Sequence, residues 1–147
     1  MKRIAFYTYP EWAFGSIHKA LIKELYKLGI DSNIIDWNHS YTRDEMNCFM
    51  DTYDVFVTVP GNAITALLSY GVPYSSIIAI AHGRYDIQFG ISEGNDFNAL
   101  RAYGGVSLDL SHFSQQNGIN KEFHVVRNGI NFDEFYRPVA EQLNVIG

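Results

Sequence analysis

Three short stretches of this chain place chemically capable side chains where a fold could hold them still. The first is Ile77-Ile-Ala-Ile-Ala-His82-Gly83, an apolar run that ends on a histidine and a glycine. A histidine that follows a buried strand is pinned by it, and Gly83 lets the backbone turn away. Near neutral pH such a side chain can donate, accept or act as a base. Arg84, Tyr85 and Asp86 come next and are candidate ligand contacts, although a solvated loop explains them as well. The second stretch is Tyr9-Pro-Glu-Trp-Ala-Phe-Gly-Ser16. If Gly15 opens a helix, backbone N–H groups there can approach an anionic or hydroxylated ligand, aided by the positive helix end. Ser16 serves equally as a plain N-cap, and Glu11 and Trp12 are candidate contacts from the same loop. The third is Arg127-Asn128-Gly129, where Asn and Gly tolerate positive φ and turn the chain off a strand end.

Other chemistries lack their residues. Neither G-x-G-x-x-G nor the Walker A pattern occurs, and there is no G-x-S-x-G elbow. Ser107-Leu-Asp109-Leu carries a single carboxylate rather than a D-x-D metal loop. His18, His39, His112 and His124 have no spacing that assembles a metal site, so no metal is expected. His18 is placed in the first turn of a helix, where a cation is mildly unfavourable. A net charge of −5 argues against a phosphate-backbone binder, so nucleic acid is not an expected partner. The single cysteine, Cys48, excludes an intramolecular disulfide and reads as a small core residue. Ten Tyr and ten Phe supply either a well-packed core or an aromatic groove for sugars or a lipid-linked partner. Met1-Lys-Arg-Ile4 runs straight into a strand, and no apolar run approaches the ~20 residues of a membrane span, so the expected location is cytoplasmic.

Strand and helix signals alternate along all 147 residues, which predicts a single α/β domain: a Rossmann-like, doubly wound parallel sheet of about six strands. Strands are expected at Arg3–Thr8, Asn33–Trp37, Val55–Val59, Ser76–Ala81, briefly at Val106, and at Phe123–Val126. Ser16 is expected to cap a helix whose apolar positions Ile17, Ala20, Leu21, Leu25 and Leu28 face inward, with Gly29 as its left-handed terminator. Thr42-Arg-Asp-Glu45 is a capping-box pattern. Pro60-Gly-Asn62 leads into a helix ending near Gly71, and further helices are expected at about Phe97–Ala102 and Leu108–Asn117. Arg84–Gly94 reads as an irregular polar excursion.

Phe123-His-Val-Val-Arg-Asn-Gly-Ile-Asn-Phe-Asp-Glu-Phe-Tyr-Arg-Pro138 resembles the "N-G-V-D-x-x-x-F-x-P" segment that ends the first domain of GT-B glycosyltransferases, particularly the retaining, GT4-like group. Asn128, Gly129 and Phe135 match it, Asn131 stands in the usual Asp place and Pro138 comes one residue late. The glycine before the first helix and the histidine ending the fourth strand are similar as well. The resemblance implies that residues 1–138 form an acceptor-binding, Rossmann-like domain, with 139–147 leading into a second domain. It implies that His82 binds and orients the transferred sugar, that Gly15 and Ser16 lie on the donor-phosphate side, and that Asn128 and Gly129 floor the cleft. No cofactor is implied; the donor is a nucleotide-sugar held by the second domain through a pair of glutamates. Implied partners are a sugar or lipid-linked sugar acceptor and the chain's own C-terminal domain, with peripheral membrane association and polysaccharide biosynthesis as the setting. Two alternatives stand beside this: a stand-alone flavodoxin-like or receiver-like binding module, and a non-catalytic partner subunit of a glycosyltransferase.

Overall fold

A computed structural model describes residues 3–128; Gly129, Asn131, Phe135 and Pro138, with the rest of 129–147, lie outside them. The elements run β1 (Arg3–Thr8), α1 (Trp12–Lys27), β2 (Asp31–Asp36), α2 (Arg43–Thr52), β3 (Val55–Thr58), α3 (Asn62–Ser69), β4 (Ile77–Ala81), α4 (Arg84–Ser92), β5 (Ala102–Gly105), α5 (Leu108–Gln116) and β6 (Phe123–Val125). The six strands form one sheet in the order β2-β1-β3-β4-β5-β6, and every pairing is parallel. The expected α/β, Rossmann-like sheet is thus the observed one.

The layering follows from the handedness of crossovers. The step from β1 to β2 runs one way across the sheet and every later step runs the other, so right-handed connections put α1 on one face and α2 to α5 on the opposite face. Side chains agree: Ala5 and Tyr7 of β1 join the larger core with Met46, Ile64, Leu67 and Ile87. Phe6, between them, points the other way, into a smaller core with Ile22 and Leu25 of α1. β3 is buried at all four positions, as a central strand of a parallel sheet requires.

Local signals explain several boundaries. Gly29 ends α1 at φ +74°, a backbone that only glycine adopts freely. The Thr42 hydroxyl accepts from the Glu45 N–H at 3.3 Å, and the Glu45 carboxylate accepts from the Thr42 N–H at 2.7 Å, a complete capping box for α2. Thr42→Ala is expected to cost about 1 kcal/mol, read as a lowered urea midpoint at unchanged slope.

Elsewhere the fold departs from the expectations. α1 begins at Trp12, with Glu11 and not Ser16 at its N-cap. Along it Gly15, His18, Ile22 and Leu25 face the sheet, while Ala20, Leu21 and Leu28 are exposed. The stretch expected to be irregular, from Arg84, is helix α4; it is capped by Asp86 and anchored by Ile87 and Gly90, both buried. No helix forms at 97–102; a tight turn there feeds β5, which comes just before Val106. Cys48 is exposed, because α2 turns Met46 inward and leaves the cysteine on its outer side.

Candidate functional site

In an open parallel sheet the loops beyond the carboxyl ends of the strands form the natural ligand edge, above all where the strand order reverses. Here that reversal lies between β1 and β3. His82 stands on this edge as the residue after β4. Its backbone N–H donates to Asp86 Oδ2 at 2.7 Å, and the Gly83 N–H donates to the same oxygen at 3.1 Å. Asp86 therefore fixes the turn that carries His82 and places an acid in the first turn of α4, where the helix dipole favours it. The half-buried His82 ring meets Phe14 of α1 edge-on, with centroids 5.0 Å apart. It makes no side-chain hydrogen bond among the described residues. Burial lowers its pKa and Asp86 opposes the shift. The outcome is a neutral imidazole, held by its backbone, with ring nitrogens free to meet a hydroxyl.

His18 is the functional candidate that sequence reasoning missed. It lies in the second turn of α1, 6% exposed, with its ring 4.9 Å from Phe6 and parallel to Phe14 at 6.4 Å. Burial lowers its pKa to about 4, and the neighbouring His82 pushes the same way. The Phe14 carbonyl, one turn earlier, opposes the shift, yet Nδ1 has no hydrogen bond of acceptable geometry. Phe14 thus stands against both imidazoles, and Trp37 meets its edge at 5.9 Å. Phe14 and His18 are four residues apart, a spacing that puts both on one helix face once the helix starts at Trp12.

The β1–α1 segment is not a phosphate loop. Gly15 and Ser16 lie inside α1, and the Gly15 N–H is taken by the Glu11 carbonyl at 3.1 Å. The Pro10 carbonyl sits directly over Gly15, where a Cβ would come within 1.9 Å of its oxygen. Gly15 therefore serves close packing of the loop on the helix. Trp12 has φ +56°, the one non-glycine residue with positive φ among those described, and is 83% exposed with Tyr9 edge-on at 5.7 Å. A bulky residue in this region of φ is strained and persists where its surroundings fix it. Glu11 is exposed and makes no cap hydrogen bond through its side chain.

The remaining candidates divide. Arg84 is held in a bidentate pair with Asp109 at 2.7 and 3.0 Å and lies over the Phe113 ring, so it ties the start of α4 to the start of α5. Tyr85 is 71% exposed and stacks on Phe89, free to meet a ligand. Asn128 is exposed beyond β6, on the same carboxyl edge. A shallow cavity of about 460 Å³ lined by Gln115, Ile119, Lys121 and Phe123 opens at the amino edge instead, away from both histidines. Among the described residues no three His, Cys, Asp or Glu side chains converge as a metal site, and no helix is long and apolar enough to cross a membrane. Comparisons with protein-family models, curated proteins and solved structures yield no match.

Proposed function

We propose that this chain is the acceptor-binding half of a nucleotide-sugar-dependent, retaining glycosyltransferase of GT-B architecture, acting in polysaccharide or glycoconjugate assembly. One observation carries the reading: His82 ends β4 on the ligand edge with its backbone locked by Asp86 and its neutral ring free to bond a hydroxyl. In this reading His82 orients the transferred sugar, and exposed Trp12 and Tyr85 meet the acceptor. Arg84 and Asp86 brace the site. The nucleotide-sugar is held by a second domain beyond Asn128-Gly129, so residues 1–147 alone transfer no sugar.

The test begins with the reading frame past codon 147. A further βα domain with a late glutamate pair supports the proposal, and in that full-length protein His82→Ala should lower kcat about 100-fold with little change in KM, the mark of lost orientation. A stop codon directly after Gly147, or sugar transfer by residues 1–147 alone, would refute it.

The strand order favours a second reading, a stand-alone binding module, because β2-β1-β3-β4-β5 is also flavodoxin-like connectivity. The segment after β1 speaks against it, since Tyr9-Pro-Glu-Trp12 lacks the hydroxyl- and glycine-rich run of a flavin phosphate loop. A yellow flavin spectrum in the purified protein would decide for this alternative.

A further inference from the structure

Along α1, Trp12, Ser16, Lys19, Lys23, Tyr26 and Lys27 recur every three or four residues, which lines them up on one flank of the helix. All six are exposed. Lys23, Tyr26 and Lys27 border a groove of about 400 Å³ with Asp31 and Ser32 of β2, and Ile22 adds apolar surface to it. The flank therefore lies on the side of an outermost strand of the sheet.

This flank is cationic in an acidic chain of net charge −5. Glu24 is the one acid of α1, and it is paired with Lys27 at 2.7 Å. Asp31, the acid beside the groove, faces Arg3 at 3.9 Å. Lys19 and Lys23 have no acidic partner among the described residues. On the opposite face of the sheet, α2 exposes Asp44, Glu45 and Asp51 against a single Arg43. The molecule is polarised, and such a charge distribution turns α1 toward a negative surface.

The two ends of the stripe are aromatic. Trp12 is 83% and Tyr26 79% exposed, and the 1.5 Å rise of a helix sets them ~21 Å apart. Trp12 is held outward at φ +56°, a strained backbone for a bulky residue, and no burial of its ring offsets that strain. A phosphate polymer supplies negative charge but no apolar layer for two separated rings. A lipid surface supplies both, since Trp and Tyr settle at headgroup depth and lysine stems lie along apolar surface with their charges in water.

We propose that this flank of α1 is a docking surface for an anionic lipid bilayer. Lys19 and Lys23 meet the lipid headgroups, and the Trp12 and Tyr26 rings enter the interface at either end. Trp12 ends the stripe at the carboxyl edge of the sheet, so docking brings that edge against the lipid. The surface rests on α1 alone, whatever reaction the chain serves.

Co-flotation of the chain with vesicles tests it, using phosphatidylcholine alone and phosphatidylcholine mixed with phosphatidylserine. Binding to the mixed vesicles and not to the neutral ones is expected. Lys19→Gln with Lys23→Gln should weaken it about 30-fold, at the attraction usual for two lysines near such a surface. Arg43→Gln, on the opposite face, should bind as the wild type does. Tryptophan emission should shift to the blue on the mixed vesicles and lose that shift in Trp12→Gly, which relieves the positive φ and leaves only half-buried Trp37. No binding, equal binding to both vesicles, or equal weakening by Arg43→Gln would overturn the proposal. So would retention by duplex DNA or polyglutamate without vesicle binding. Vesicle binding by a complete protein that transfers no sugar would remove the glycosyltransferase reading and leave this surface standing.

Discussion

Gly15→Ala should destabilise the protein by about 2 kcal/mol, although alanine is by nature the better helix former. On propensity alone the exchange would gain about 1 kcal/mol in a helix interior. The opposing contact is larger, because the new Cβ would sit 1.9 Å from the Pro10 oxygen and 2.3 Å from its carbon. Those are backbone atoms, so no side chain can swing aside; the β1–α1 segment must lift. Overpacking of this kind costs roughly 1–3 kcal/mol and more where backbone must move. The expected melting temperature falls by about 6 °C for a domain of this size. Gly83→Ala is the control: its φ is extended and nothing lies within 4 Å of its Cβ position, so it should lose no more than the roughly 1 kcal/mol that alanine costs at an N-cap. Equal stability of Gly15→Ala and wild type would show that the Pro10 carbonyl does not rest on this helix.

His18 should make the fold acid-sensitive in a defined interval. Its pKa lies near 4 in the folded chain against the usual 6.5, because burial disfavours the charged ring. Between those values the unfolded chain binds a proton that the folded chain refuses, so stability falls as pH drops from 6.5 toward 4 and is unaffected above 7. A shift of this size corresponds to about 3 kcal/mol. His82 is shifted in the same direction and adds to the slope with the same sign. His18→Phe keeps a ring between Phe6 and Phe14 and cannot be protonated. Urea unfolding at pH 7.5 and pH 4 should therefore show a loss smaller by about 3 kcal/mol in the variant than in the wild type. Parallel losses in the two proteins would mean that His18 is solvated.

β3 and β4 were legible because burial writes itself as nearly unbroken apolar runs in Val55–Thr58 and Ile77–Ala81, whereas β5, Ala-Tyr-Gly-Gly, carries no such run and lies before the expected Val106. The α2 start and the α1 end were legible because Thr42, Glu45 and Gly29 act locally. Helix α4 was hidden because its helical state is secured from outside: Gly90 packs against Phe97 beyond the helix end and Pro60 thirty residues earlier. Gly15 was legible as a special glycine but not as a packing one, since the deciding atom is a neighbour's carbonyl. His82 could be found from its place after a strand. His18 could not, because its weight comes from an orphan nitrogen and from Phe6 and His82 on other elements. The roles of Glu11, Trp12 and Tyr85 rest on exposure, which a sequence does not display.

The strand order also bears on how the chain comes off the ribosome. β2 and β3 flank β1, so the first three strands, complete by Thr58, already make a contiguous half-sheet. Each later strand adds to the same growing edge: β4 on β3, β5 on β4, β6 on β5. No strand has to be inserted between two already paired. Synthesis at about 5–20 residues per second is slow beside local pairing, so the sheet can be laid down in the order of translation, with the imidazole beneath α1 enclosed before the one at the end of β4 has left the exit tunnel.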